Sequence, residues 1–127
     1  MEDRIRLIEH KGKHVLLIDV SNCTAEEIAA TARLVPSFVA AQPKGSVLLL
    51  ADFTGATFDK AAIEVLKQAT VFDRPHLKKS AWVGTESLPK VFYDNIKAFS
   101  QRSLPTFKTR EEAMDWLAED KVEAKTG

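Results

Sequence analysis

The chain has 127 residues, 45% of them hydrophobic and 28% charged, with eighteen basic side chains balancing eighteen acidic ones. That is one domain's length and a globular composition, which excludes a second full core and intrinsic disorder. The zero net charge argues against a dedicated nucleic-acid binder, whose affinity depends on an excess of Lys and Arg.

The stretch from Met1 to Arg6 is charged, and no apolar run approaches the roughly 20 residues of a membrane span or the core of a signal peptide. The expectation is a cytoplasmic protein that does not span a membrane. Arg4 to Glu9 nearly alternates polar with apolar, and Lys11-Gly12-Lys13 turns the chain into Val15-Leu16-Leu17-Ile18, which reads as a hairpin. Cys23 is the single cysteine, so no intrachain disulfide and no thiolate zinc site can form, and it reads as a small packing residue at a helix entry. Thr24 and Glu27 have the spacing of a capping box, and Ile28, Ala32, Val35 and Val39 recur at helical period. Pro36 should kink or split that helix.

Pro43-Lys44-Gly45 closes the segment before Ser46 to Asp52, an apolar run suited to a central strand covered on both faces. Asp59 can cap a second helix that turns Ile63, Leu66 and Ala69 or Thr70 to one side, and Arg74-Pro75-His76 ends it. Ser80 to Val83 is a third run, bounded by Gly84. Ser87 then caps a third helix with Pro89 in its first turn, directing Leu88, Val91 or Phe92, Ile96 and Phe99 inward. Leu104 to Phe107 forms a short edge strand because of Pro105, and Thr109 with Glu112 opens a last helix that packs Ala113, Trp116 and Leu117. The fold class is α/β: a mixed, mainly parallel sheet of four to five strands with an N-terminal hairpin and flanking helices. Residues 1–127 form one domain, ordered from about 4 to 118, with residues 120–127 a frayed tail.

In open α/β sheets, ligands sit beyond the carboxyl ends of the strands. Here those ends are Asp19 to Asn22, Asp52 to Phe58, Gly84 to Ser87 and Phe107 to Thr109. Asp19 and Asp52 occupy matching places, where they can orient a ligand, act as acid and base, or simply accept backbone hydrogen bonds. Phe53, Thr54 and Gly55 form the most distinctive loop, Gly55 permitting close backbone approach and Thr54 supplying a hydroxyl. Thr85 and Ser87 precede a helix whose free N–H groups suit an anion, with Glu86 opposing it. Phe53, Phe58 and Tyr93 are the aromatic residues suited to lining a pocket, the rest reading as core. His10, His14 and His76 lack metal-ligand spacing and read as solvated; no metal and no cofactor is expected. Between Arg74 and Arg110, eight basic side chains are set against only Glu86 and Asp94, a local excess that reads as a solvated face or as a surface for an acidic partner, an anionic lipid surface or RNA.

Val47-Leu48-Leu49-Leu50-Ala51-Asp52-Phe53-Thr54-Gly55-Ala56-Thr57-Phe58-Asp59 resembles the strand, turn and helix entry of sulfate-transporter and anti-sigma-factor-antagonist (STAS) domains. Trp82-Val83-Gly84 and then Phe107, Glu111, Glu112, Ala113, Trp116 and Leu117 resemble the C-terminal half of the SpoIIAA-like family of small bacterial proteins, so the likeness runs from about Arg4 to Leu117. The resemblance implies a SpoIIAA-like β-α superhelix that acts by binding, not as an enzyme. It departs in one place. Anti-sigma-factor antagonists carry a phosphorylatable Ser or Thr at the start of the second helix, where this chain reads Phe58-Asp59-Lys60-Ala61-Ala62 without a hydroxyl. Asp59 can supply a fixed negative charge there, and capping accounts for it equally.

The leading expectation is a non-catalytic module that binds a protein partner or small molecule through Asp19, Asp52, Phe53, Thr54, Gly55, Phe58, Asp59, Thr85 and Ser87. The alternative is a carrier of a lipid or other apolar small molecule, suggested by Phe53, Phe58 and Phe72 around the second helix and by comparisons of the family's relatives with lipid-transfer domains. An enzyme using Asp19 and Asp52 is the least favoured reading, and self-association as a homodimer is compatible with the sequence.

Overall fold

The computed structural model describes residues 2–100 and 104–119, apart from the side chains of residues 2, 99 and 100; the Phe99 side chain, Arg102 and the tail from Asp120 therefore lie outside the described residues. A 3-10 turn over Glu2–Arg4 leads into β1 (Ile5–His10) and β2 (Lys13–Asp19). Both residues of the connecting turn have positive φ, 52° at Lys11 and 80° at Gly12, the turn whose twist matches that of two paired strands.

Helix α1 (Ala25–Ala40) opens on the expected box: the Glu27 N–H donates to the Thr24 hydroxyl at 3.2 Å and the Thr24 N–H to the Glu27 carboxylate at 2.9 Å. Pro36 does not split this helix as the sequence suggests. Its ring forfeits the single bond to the Ala32 carbonyl, a cost of about 3 kcal/mol. Burial of Val35 and Val39 on either side gives back roughly 1.5–3 kcal/mol each, so the turns around Pro36 stay docked. Pro36→Ala is therefore expected to stabilise the protein by about 1–2 kcal/mol, read as a higher urea midpoint at unchanged slope; a lower midpoint would mean that the ring itself is needed at its place beside α2.

Strand β3 (Val47–Asp52) is buried at every position and lies third in the sheet order β1-β2-β3-β4-β5. Helix α2 (Lys60–Asp73) starts where the Asp59 carboxylate accepts from the Ala62 N–H at 2.8 Å. After a 3-10 turn over Arg74–His76 comes β4 (Leu77–Val83), which begins before the apolar run at Ser80 and carries a bulge opposite Val47 and Leu48. Ser87 does not cap the third helix: its hydroxyl donates to the Ala56 carbonyl at 2.7 Å, and α3 (Lys90–Ser100) starts beyond Pro89. β5 (Thr106–Phe107) is a two-residue edge strand, and α4 (Arg110–Ala118) closes the described fold with Thr109 accepting from the Glu112 N–H at 3.1 Å.

β2 to β5 run parallel, and among the described residues only the β1–β2 hairpin is antiparallel. Alternation along the strands supplies two cores. Leu16, Ile18, Leu49, Ala51 and Trp82 face α1, α2 and α3, whereas Val15, Leu17, Leu48, Leu50, Ala81 and Val83 face α4 alone. Trp116, expected inward, is only partly buried beside this second core.

Candidate functional site

The turns leaving β2, β3 and β4 converge on one rim. The parallel ladder continues past the strand ends, with Val20 N–H donating to the Asp52 carbonyl at 3.0 Å, Asn22 N–H to Thr54 at 2.7 Å and Phe53 N–H to Val83 at 2.8 Å. Thr57 N–H reaches the Cys23 carbonyl at 2.9 Å, and Ser87 ties the third turn to Ala56. Gly84 is required by this closeness: its φ is 70°, and a Cβ there would overlap the backbone of Thr54. Gly84→Ala should cost roughly 2–4 kcal/mol, as a non-glycine residue would add left-handed strain to a backbone collision. A thermal denaturation midpoint within 2 °C of wild type would show that the two turns can separate freely.

Asp19 and Asp52 are directly opposite one another in the β2–β3 register, and each makes the same local turn. Asp19 Oδ1 accepts from the Ser21 N–H at 3.2 Å and hydroxyl at 2.6 Å; Asp52 Oδ1 accepts from the Thr54 N–H at 2.9 Å and hydroxyl at 2.7 Å. Arg110, the first residue of α4, bridges the two carboxylates. Its Nε lies 2.5 Å from Asp52 Oδ2 and its Nη2 3.1 Å from Asp19 Oδ1. Burial alone would raise the Asp19 carboxyl, but its bonds to the Ser21 hydroxyl and N–H, together with Arg110, outweigh this and hold it below the ordinary range. Burial would lower Arg110, and the two carboxylates overcome this to raise it.

This cluster also orients α4. A nine-residue helix is marginal alone, and both ends of α4 are anchored to the sheet by charge. At its start the two carboxylates hold Arg110 by ion pairs; at its end the Lys79 ammonium donates to the Trp116 carbonyl at 2.8 Å and the Glu119 carbonyl at 3.2 Å, 4.7 Å from the Trp116 ring centre, where a cation complements the helix dipole. Two members of the basic excess read from the sequence, Lys79 and Arg110, are thus internal fasteners rather than a solvated face. His10 likewise departs from the solvated reading, its Nε2 lying 2.7 Å from Asp115, and His76 Nδ1 lies 3.2 Å from the Gln42 carbonyl. No group of three or more His, Cys, Asp or Glu side chains able to hold a metal gathers among the described residues.

Of the residues singled out from the sequence, Thr54, Gly55, Asp59 and Ser87 are exposed on the rim, and Asp19, Phe58 and Thr85 are partly so. Phe53 and Asp52 turn inward: Phe53 packs edge-on against Trp82 at 4.9 Å and beside Phe58 at 5.5 Å. Tyr93 is a core clasp, donating its hydroxyl to the Leu104 carbonyl and packing 6.2 Å from Trp82. Cys23 is buried, and burial raises its thiol, as expected for packing. Arg110 is the member that sequence reasoning missed. Two carboxylates ending adjacent parallel strands call for a cation, but that Arg110, after the last strand, supplies it follows only once the sheet order is known.

No family model matches the chain, and no curated protein matches it. Among solved structures it is similar to an uncharacterized protein of the DUF3478 family with a SpoIIAA-like fold from Shewanella loihica PV-4, at 19% identity and a TM-score of 0.68, covering 90% of this chain and 92% of that one. The fold expected from the resemblance, a SpoIIAA-like α/β domain, is the fold found. No helix among the described residues is long and apolar enough to cross a membrane.

Proposed function

We propose that the protein is a non-catalytic, cytoplasmic STAS-like module that recognises a protein partner or small molecule with the rim formed by the turns after β2, β3 and β4. The observation that carries this reading is the Arg110 bridge. It holds two strand ends and a helix start in one geometry, so the exposed groups between them, Thr54, Gly55, Thr57, Asp59 and Thr85, are presented pre-ordered, and little conformational entropy is lost on binding. The same bridge argues against acid–base catalysis. Both oxygens of Asp52 and Oδ1 of Asp19 already accept from structural donors, which favours a positioning role for these carboxylates over proton exchange with a substrate.

A carrier of a whole lipid has less support. The cavity in the core is about 50 Å³, room for roughly two water-sized groups and far short of an acyl chain.

The rim is tested with two immobilised variants, Thr57→Arg and Thr85→Arg, against wild type and Lys44→Glu at the opposite pole. A binding species identified by mass spectrometry on wild type and on Lys44→Glu should be reduced at least tenfold on both rim variants. Equal retention on all four proteins removes the rim from the function.

A further inference from the structure

The apolar face of α2 is interrupted by an acid. Leu66, Ala69, Thr70 and Asp73 lie on one side of the helix at spacings of three and four residues, and all four line the core cavity of about 50 Å³ with Ile28, Ala32 and Val35 of α1 and Trp82 of β4. Asp73 is only 5% exposed, and its Oδ1 has no hydrogen-bond partner. An unpartnered carboxylate oxygen in an apolar setting costs several kcal/mol unless something donates to it. Burial raises this carboxyl to about 7, disfavouring its anion.

Immediately outside, between α1 and α2, an open groove of about 330 Å³ is lined by Pro36, Val65, Phe72 and Gln68. Phe72 is 53% exposed there, an unusual placement for a large apolar side chain. Ala32 and Ala69 line both the groove and the cavity, so the two spaces adjoin at these residues.

We propose that the seam between α1 and α2 binds a straight-chain amphiphile whose hydrogen-bond-donating head, a hydroxyl or an ammonium, enters past Ala32 and Ala69 to Asp73 Oδ1, while its chain lies outward over Pro36, Val65 and Phe72. The cavity accepts the head and about two heavy atoms, and the groove takes the remainder. The donor requirement follows from the orphaned acceptor. A carboxylate-headed chain brings no donor to Oδ1 and, above about pH 7, meets like charge there, so at that pH the site selects against fatty-acid anions. This seam is separate from the rim, and either can fail without the other.

The test is titration of the full chain with 1-hexanol, hexylamine and hexanoate, followed by methyl NMR of the alanine and isoleucine groups lining the cavity. Saturable shifts at Ala32, Ala69 and Ile28 are expected with hexanol or hexylamine, at least tenfold tighter than with hexanoate; the tighter of the two distinguishes an acid from an anion at Asp73. Phe72→Ser, an exposed change that leaves the core intact, should weaken binding five- to tenfold, and Ala69→Leu should abolish it. Asp73→Leu should erase the preference for hexanol over hexanoate. The absence of saturable shifts up to the solubility limits, or binding unaltered in Phe72→Ser, overturns the proposal.

Discussion

Replacing Arg110 by alanine is expected to lower the free energy of unfolding by roughly 2–4 kcal/mol. Removing one partner of a buried ion pair costs about 3–5 kcal/mol because the opposite charge stays behind; the figure is discounted here because the Arg110 side chain is 35% exposed and that of Asp19 is 20% exposed. Two carboxylates remain behind, opposite one another in adjacent strands, and the Asp52 side chain is only 7% exposed. Asp52→Asn on the Arg110→Ala background should restore part of the loss, since it removes the like-charge repulsion. Urea denaturation of the two single variants and the double variant measures the coupling, and additive losses would mean that the bridge contributes nothing as a unit. The bridge also predicts an acid limb. Asp19 is depressed in the folded state, so its contribution is present above its unfolded value near 3.8 and is lost as pH falls toward the lower folded value. Arg110→Ala should flatten that limb.

Asp73 acts in the opposite direction. Its folded value of about 7 lies above 3.8, so between those pH values the native state holds a proton that the unfolded chain has released, and stability falls as pH rises. At 1.36 kcal/mol per unit the ceiling is about 4 kcal/mol, complete by about pH 7. Asp73→Asn should therefore be roughly 2–4 kcal/mol more stable than wild type at pH 8, with the gap narrowing toward pH 5. Denaturation curves at four pH values decide it: parallel profiles for the two proteins would show that Asp73 is solvated in the native state. The two carboxyls thus pull in opposite directions, Asp19 favouring the native state as pH rises from the acid side and Asp73 opposing it between 3.8 and about 7.

The elements were legible because their signals are local. The Lys11-Gly12 turn, the Thr24–Glu27 box, the Asp59 cap and the apolar run from Val47 each declare themselves within a few residues, and each is found where the sequence places it. The rim was legible to the level of which strand ends meet, since parallel β-α units put those ends together. The fasteners were not. Arg110 reaches Asp52 across 58 positions and His10 reaches Asp115 across 105, pairings that exist only once the sheet order is fixed. Ser87 shows the same limit: its sequence context suits a cap, and the nearby Ala56 carbonyl takes its hydroxyl instead. Pro36 fails for the converse reason, because local propensity is outweighed by the burial of its neighbours. Asp73 could have been found by carrying the Leu66–Ala69 stripe one turn further, which lands an acid on the core side of α2.

The two margins of the sheet are unlike. β5 is two residues long and follows Pro105, so it offers almost no backbone to a newcomer, whereas β1 is six residues long with Leu7 63% exposed. A sheet blunted on one side can be extended only once. Antiparallel pairing of β1 with β1 of another copy would use up the longer margin of both molecules. A pairing through that margin alone would be closed at two copies.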